Sequence, residues 1–320
     1  MSVHAKTVID CDGAGPGLTC AYLRVAGDEC AFIETFTSRA RDRMLGALAA
    51  AGKRVEDVRW IVVTHAHLDH AAGASALLQA CPRATLLAHP RAARHLIDPS
   101  KLVKSATAVY GAERFAEVYG TIDPIPAERV RALDDGATFP LGDATLQVHF
   151  TAGHANHHFV VHDPALDTVY TGDSFGLVYP ALQRGGRFVI ASTSPTNFDA
   201  VEARKSIDRI LALGTTTACL THFGEASGLA EIASQLRAWI DRAEAWVDEA
   251  ARGDETVDAM TERLTRAWRA AVVETVASLG LRFDDAQYRV LDGDMAINAQ
   301  GLAVVADARR SAARTPSVKA

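Results

Sequence analysis

Several features that would mark a special class of protein are missing. No segment approaches the run of about 20 apolar residues needed to span a membrane, and the opening MSVHAKTVIDCDG holds no apolar core of signal-peptide length. Cysteine is scarce. Cys11, Cys20, Cys30, Cys81 and Cys219 make an odd set without a CxxC pair, which argues against a disulfide framework or a zinc ribbon and fits a reducing compartment. Basic tracts are absent too: Lys+Arg is 33 against Asp+Glu 39, a net charge of −6. Phosphate binding needs clustered cations, so nucleic acid is not an expected partner. Arg309, Arg310 and Arg314 stand near the end of the chain and read as part of a frayed terminus. No solenoid-period repeat and no low-complexity tract occurs. The expectation is a cytoplasmic protein acting on a small molecule, with no nucleic acid or membrane partner and a homodimer left open.

What remains is the composition of a globular protein. The 320 residues are 48% hydrophobic and 22% charged, enough for a sizeable core. Residues 7–10, 20–25 and 30–33 are apolar or β-branched runs, the last two joined by a hairpin turn at Gly27-Asp28. Thr37 reads as the cap of a helix that Gly52 stops. A buried strand at 60–64, a helix at 71–80, a strand at 84–88 and one or two helices over 93–119 follow. From Gly136 the pattern is rich in hairpins, with strands at 144–151, 159–162 and 168–171 and turn chemistry at Asp163-Pro164. Residues 174–198 show little regular pattern and contain Gly185-Gly186 and Pro195; a loop this long is often functional. Asp199 can cap a helix through Ile207 and Ile210, and 217–221 is a last strand. After Gly228 the apolar spacing becomes helical, through Trp239 and Trp246, then Met260 and Trp268, to Gly280. These stripes read as packing faces. Residues 281–320 are weakly patterned. The expected domains are a catalytic one at 1–228 and a C-terminal helical region at 229–320.

The chemistry concentrates in Thr64-His65-Ala66-His67-Leu68-Asp69-His70, directly after a hydrophobic strand. His65 and His67 alternate, so an extended backbone puts them on one face. Asp69 and His70 fall where the chain turns into a helix. Three imidazoles and a carboxylate in six residues form a ligand set suited to zinc, iron or manganese. A His-rich surface turn would explain a single HxH, but not the whole pattern behind an apolar strand, where burying so many ionisable groups is costly without a metal. His154, Asp173 and His222 each end a strand-like run, where neighbouring loops can meet at one sheet edge.

Taken together, THAHLDH, AGH, TGD and THFG resemble the metallo-β-lactamase superfamily over about residues 5–225. The resemblance implies an α/β (α+β) fold, a four-layered αβ/βα sandwich, here with a C-terminal helical extension. It implies a first metal held by His65, His67 and His154, a second by Asp69, His70 and His222, and Asp173 bridging both. Two divalent ions are expected, zinc first, with iron or manganese also accepted by such ligands. A metal pair lowers the pKa of bound water towards about 7 and polarises the substrate oxygen, with Asp69 both ligating and orienting the hydroxide. His158, four residues after His154, stands where relatives often have a histidine that orients the ligands. His157 could equally face solvent, and His4, His89, His95, His149 and His162 take structural or surface roles by default.

Departures from particular branches narrow the reading. A glutamate in place of His67 would suit flavodiiron proteins and is absent. Cys219 stands three residues before His222 rather than at a ligand position, unlike many antibiotic-hydrolysing members. The cysteine-glycine-arginine segment of glyoxalase II is unmatched except for a distant Gly185-Gly186-Arg187, and Gly176 stands where acyl-homoserine lactonases often have tyrosine. The expected function is a metallo-hydrolase attacking an ester, thioester or lactone. The alternative is a mononuclear iron dioxygenase resembling persulfide dioxygenase, using His65, His154 and Asp173; a non-catalytic sensor ranks last. Phe175, Tyr179, Arg184 and Arg187, just after Asp173, are candidate substrate contacts offering apolar surface and positive charge. The other reading is that Phe175 and Phe188 pack the loop and the arginines are solvated.

Overall fold

The computed structural model describes residues 3–12, 15–193 and 198–314, so Pro195 of the long loop lies outside the described residues. Two compact units interleave along the chain. One comprises Met1–Thr151, His157–Asp173 and Arg209–Leu229; the other comprises Ala152–Asn156, Ser174–Asp208 and Ala230–Ala320. Residues 174–208 thus group with the C-terminal helices, which differs from a single division at 228.

The first unit holds two six-stranded sheets. The first runs in chain order through β1 (His4–Asp10), β2 (Cys20–Ala26), β3 (Glu29–Ile33), β4 (Val58–Val62), β5 (Thr85–Ala88) and β6 (Val130–Ala132). Gly27, at φ 57°, makes the tight turn between β2 and β3. The pairs β1–β2 and β2–β3 are antiparallel, and β3 to β6 are parallel. Parallel neighbours need crossovers. These are α1 (Arg41–Ala50), then α2 (Leu68–Ala71) with α3 (Ala74–Ala80), then α4 (Pro90–Ile97), α5 (Ser100–Tyr110) and α6 (Ala112–Tyr119). Met44 and Leu48 of α1, Leu77 and Leu78 of α3 and Leu96 of α4 pack on Leu23, Phe32, Ile61 and Leu86 of the sheet.

The second sheet is ordered β7 (Thr138–Leu141), β8 (Ala144–Phe150), β9 (Phe159–Asp163), β10 (Thr168–Gly172), β11 (Thr217–Leu220) and β12 (Gly224–Ala226). Only β10 and β11 pair in parallel, with α7 (Ala200–Ala212) between them in the chain. The sheets face each other across Tyr22, Ile33, Trp60 and Val62 on one side and Phe139, Leu146, Val148, Phe159, Val161 and Tyr170 on the other. Every residue of β2 and β10 is buried, as expected of strands covered on both faces. The architecture is the αβ/βα sandwich, with further helices at the C-terminus. Residues 130–132, 138–141 and 224–226 add three strands that periodicity did not reveal.

The second unit is mainly helical: α8 (Leu229–Arg252), α9 (Val257–Ser278), α10 (Asp285–Val290) and α11 (Asp292–Arg314). Trp239 and Trp268 stack with ring centroids 4.9 Å apart, so the tryptophan stripes are core. The arginines read as a frayed terminus belong to α11. Arg309 pairs with Asp248 at 2.6 Å, and Arg310 donates to the carbonyls of Gly253 and Glu255. Among the described residues no helix is long and apolar enough to cross a membrane. All five cysteines are buried thiols.

Candidate metal centre

The site begins at the carboxyl ends of the central strands, the edge where α/β sheets place ligands. After β4 the chain bends at Thr64 and His65 and reaches His67, which caps α2 at φ −66°, ψ 146°. Its carbonyl accepts from the backbone N–H of His70 and Ala71, so the turn at His67 aims Asp69 and His70 from the first turn of α2. Asp173 follows β10, His222 follows β11 and Glu34 follows β3.

These placements bring separated residues together. One ligand atom each from His65, His70 and Asp173 lies within 4.8 Å of the others, and so does one each from Asp69, His70 and His222. His70 Nε2 is 3.2 Å from Asp173 Oδ1 and 3.6 Å from Asp69 Oδ2, and His222 Nε2 is 3.4 Å from Asp69 Oδ2. His65 and His70 are fully buried, His222 nearly so and Asp69 partly open. His67 is half-buried, its ring 4.4 Å from that of His65.

The donor chemistry fits a metal. Neither nitrogen of the buried His70 ring makes a hydrogen bond, although a buried polar atom ordinarily needs a partner. His222 Nδ1 donates to the Leu18 carbonyl at 2.9 Å, the tautomer that presents Nε2 as the lone-pair nitrogen. Burial works against the charged form of His70, yet Asp173, Asp69 and Glu34 together hold its pKa well above the usual histidine range. For His222 burial is likewise outweighed, by Asp173 and Asp69, which hold it at about 9. Burial raises the Asp69 carboxyl, while His70 and His222 pull it well below the usual carboxylate range. The cluster therefore attracts cations, and its nitrogen and oxygen donors suit zinc, iron or manganese.

A layer of supports surrounds these groups. Glu34, 2% exposed, was not singled out in the sequence. Its Oε1 accepts from Thr64 Oγ1 and Thr221 Oγ1 and lies 3.3 Å from His70 Nδ1. Thr64 Oγ1 also contacts His65 Nδ1 at 3.0 Å. One carboxylate thus touches a ligand directly, another through a hydroxyl, and the residue preceding a third. His158 Nε2 accepts from the Asp173 backbone N–H at 3.2 Å, and its Nδ1 meets Thr151 Oγ1 at 2.8 Å. Gly172 lets these groups close up. It has φ +50°, and a Cβ there would sit 2.4 Å from Thr64 Oγ1 and 2.6 Å from His158 Nε2.

Other candidates lie in the second unit. His154 is buried in Ala152–Asn156, with Nδ1 3.4 Å from the Ser192 carbonyl oxygen. Gly153, at φ +125°, precedes it because a Cβ there would sit 2.4 Å from the Ala203 backbone. Phe175 is fully buried. Tyr179 is also buried and donates to Asp294 Oδ1 at 3.1 Å. Arg184 is exposed and Arg187 half-buried. The irregular segment is held by side chains: Trp239 Nε1 donates to the Val189 carbonyl, and Gln235 bonds Val189 N and the Arg187 carbonyl.

Comparison with known proteins identifies the family and the fold. The metallo-beta-lactamase superfamily matches residues 14–222, and the chain belongs to that superfamily. A metallo-beta-lactamase fold-containing protein, ST1585 of Sulfurisphaera tokodaii, is 28% identical over 53% of this chain and 62% of its own length. Its crystal structure superposes with a TM-score of 0.64 at 20% identity, covering 94% of this chain and 98% of that one. The atrochrysone carboxyl ACP thioesterase of Aspergillus fumigatus is 26% identical over 54% of this chain and 47% of its own length. The match therefore spans under two thirds of either curated relative. A metallo-beta-lactamase family protein of Thermus thermophilus, TTHA1429, has a TM-score of 0.62 at 19% identity, covering 96% of this chain and 94% of that one.

Proposed function

We propose that this chain is a metal-dependent hydrolase that cleaves an ester, thioester or lactone of a small molecule. The observation that carries the reading is the convergence of Asp69, His70, His222, His65 and Asp173 from three strand ends onto one buried cluster. In this proposal Asp69, His70 and His222 hold one divalent ion, and His65 and His67, with His154 as the sequence motifs assign it, hold another. Asp173 is shared between them, and zinc is the first choice of metal. Bound there, the ions would supply Lewis-acid polarisation of the substrate oxygen and a water acidic near neutral pH. The residues do the rest. Asp69, with its partly open carboxylate, holds and orients the attacking water by accepting its hydrogen bond. Glu34 and His158 fix the ligands, so that little reorganisation accompanies reaction. The fungal relative named as a thioesterase supports an acyl substrate.

Elemental analysis of protein purified without chelator, paired with ester, thioester and lactone assays, tests the proposal. About two equivalents of metal and chelator-sensitive hydrolysis are expected. One equivalent of iron, unchanged on reconstitution and accompanied by oxygen uptake, would overturn it in favour of the dioxygenase reading.

A further inference from the structure

The turn that carries His222 is held from outside its own sheet. Side chains alternate along β2, so Cys20 and Tyr22 face the second sheet while Ala21 and Leu23 pack with the helices on the other side. Both inward side chains reach the same hairpin. Leu220 and Gly224 are the register pair at the base of β11–β12, and the turn between them is Thr221-His222-Phe223. The Tyr22 hydroxyl donates to the Leu220 carbonyl at 2.6 Å, and its ring lies edge-on against Tyr170 with centroids 5.3 Å apart. The Cys20 thiol donates to the same carbonyl at 3.2 Å and accepts from the Gly224 backbone N–H at 3.2 Å. One sulfur thus ties both strands of the hairpin where the turn begins and ends.

The backbone of the same segment completes the hold. Cys20 N donates to the Thr221 carbonyl at 2.8 Å, and the Leu18 carbonyl accepts from His222 Nδ1. Residues 18, 20 and 22 therefore fix the carbonyl before His222, the imidazole itself and both ends of the turn. The hairpin already pairs through its own ladder, so these added bonds bear on where the turn points rather than on whether it forms. The thiol is fully buried, and burial pushes it up to about 12. At neutral pH it stays protonated, a donor and an acceptor but not a nucleophile.

Resting on the reading of His222 as a metal ligand, we propose that Cys20, seconded by Tyr22, is a positioning residue for that ligand. By clamping Leu220 and Gly224, the thiol sets the direction of His222 Nε2 and so the affinity for the ion held with Asp69 and His70. A metal ligand gains from such outer partners because the ring is then oriented before the ion arrives. The ion held through His65 and His67 owes nothing to this clamp, since those residues follow β4 and are supported by Thr64.

Chelator competition on the full-length, zinc-loaded protein tests the assignment, because it resolves the two ions as separate steps. His222→Ala identifies the step that depends on this turn. Cys20→Ala removes both sulfur contacts; it should weaken that same step by about tenfold or more and the other by under about twofold. Cys20→Ser, whose hydroxyl also donates and accepts, should recover most of the loss. Tyr22→Phe should weaken the same step by a smaller factor, because the thiol still serves the Leu220 carbonyl. Leu146→Ala truncates the same core between the sheets; it controls for lost stability and should leave both steps unchanged. If Cys20→Ala keeps the His222-dependent step at wild-type strength, or Leu146→Ala weakens it equally, the positioning role is overturned while the metal reading stands. Zinc binding that His222→Ala does not alter would overturn the metal reading, and the proposal with it.

Discussion

Glu34 illustrates how one side chain can organise a site it need not ligate. A buried carboxylate is costly unless its oxygens are engaged, and Oε1 is engaged by two threonines and approached by His70. Glu34→Gln keeps the shape and removes the charge, so metal affinity should fall about ten- to a hundredfold while circular dichroism stays native. Competition against a chromophoric chelator measures this, and unchanged affinity would deny Glu34 its positioning role. Gly172→Ala tests the same support sterically. Its Cβ would press Thr64 and His158 apart at a backbone angle that L-residues rarely adopt, so we expect reduced metal content and a loss of about 1–3 kcal/mol in stability. The cluster around His70 was legible because residues 65–70 place three imidazoles and a carboxylate in one short stretch, a concentration of donors visible without the fold. Glu34 was not legible: a lone acid after a strand has no pattern of its own, and its partners Thr64 and Thr221 lie 30 and 187 residues away.

Among the elements, the strands that buried long apolar runs were legible, and those of three or four residues were not, because so few positions cannot show a period. Helix α11 lies within the helical region expected over 229–320, but its own span was weakly patterned for a different reason. Its buried face comprises Met295, Asn298, Ala299, Leu302, Ala303 and Ala306, a correct helical spacing built largely from alanine and asparagine, which carries little hydropathy contrast. Asn298 earns its buried position through its hydrogen bonds. Its Nδ2 donates to the Ala191 carbonyl and its Oδ1 accepts from Thr193 N at 2.7 Å. Asn298→Ala would strand both backbone groups and should cost about 2–3 kcal/mol, read as a lower denaturant midpoint; a change under half that would mean the groups find other partners. Helix α4 yields a pH prediction. His89 caps it, with Nδ1 accepting from Arg91 N at 3.0 Å, which requires a neutral ring. Burial, aided by Arg91, holds its pKa down to about 4, against roughly 6.5 unfolded. Below that unfolded value the denatured chain takes up the proton first, so this contribution is fully present above about pH 6.5 and is lost as pH falls towards 4. His89→Asn retains a capping acceptor without the titration, and its stability should fall less steeply over that interval; identical slopes would refute the assignment.

For the whole molecule, metal and fold should be linked. The cluster residues Asp69, His70, Asp173 and His222 come from chain positions that only the folded first unit brings together, so an ion held there binds the native state and has little affinity for the unfolded chain. Such a ligand stabilises by RT ln(1 + [L]/Kd), about 4 kcal/mol at a thousandfold excess over Kd. Removing it also leaves the Asp69, Asp173 and Glu34 carboxylates to draw protons onto His70 and His222, which burial opposes. Both effects have the same sign. Thermal unfolding after dialysis against chelator should therefore begin several degrees lower than for the metal-replete protein, and returning the metal should restore it. His222→Ala supplies the control, because it removes a donor while leaving the strand before it intact. If the cluster holds the ion, this variant should unfold near the temperature of the chelated protein and respond less to added metal. A variant that unfolds like the replete wild type, with the full metal response, would show that the stabilising ion sits elsewhere.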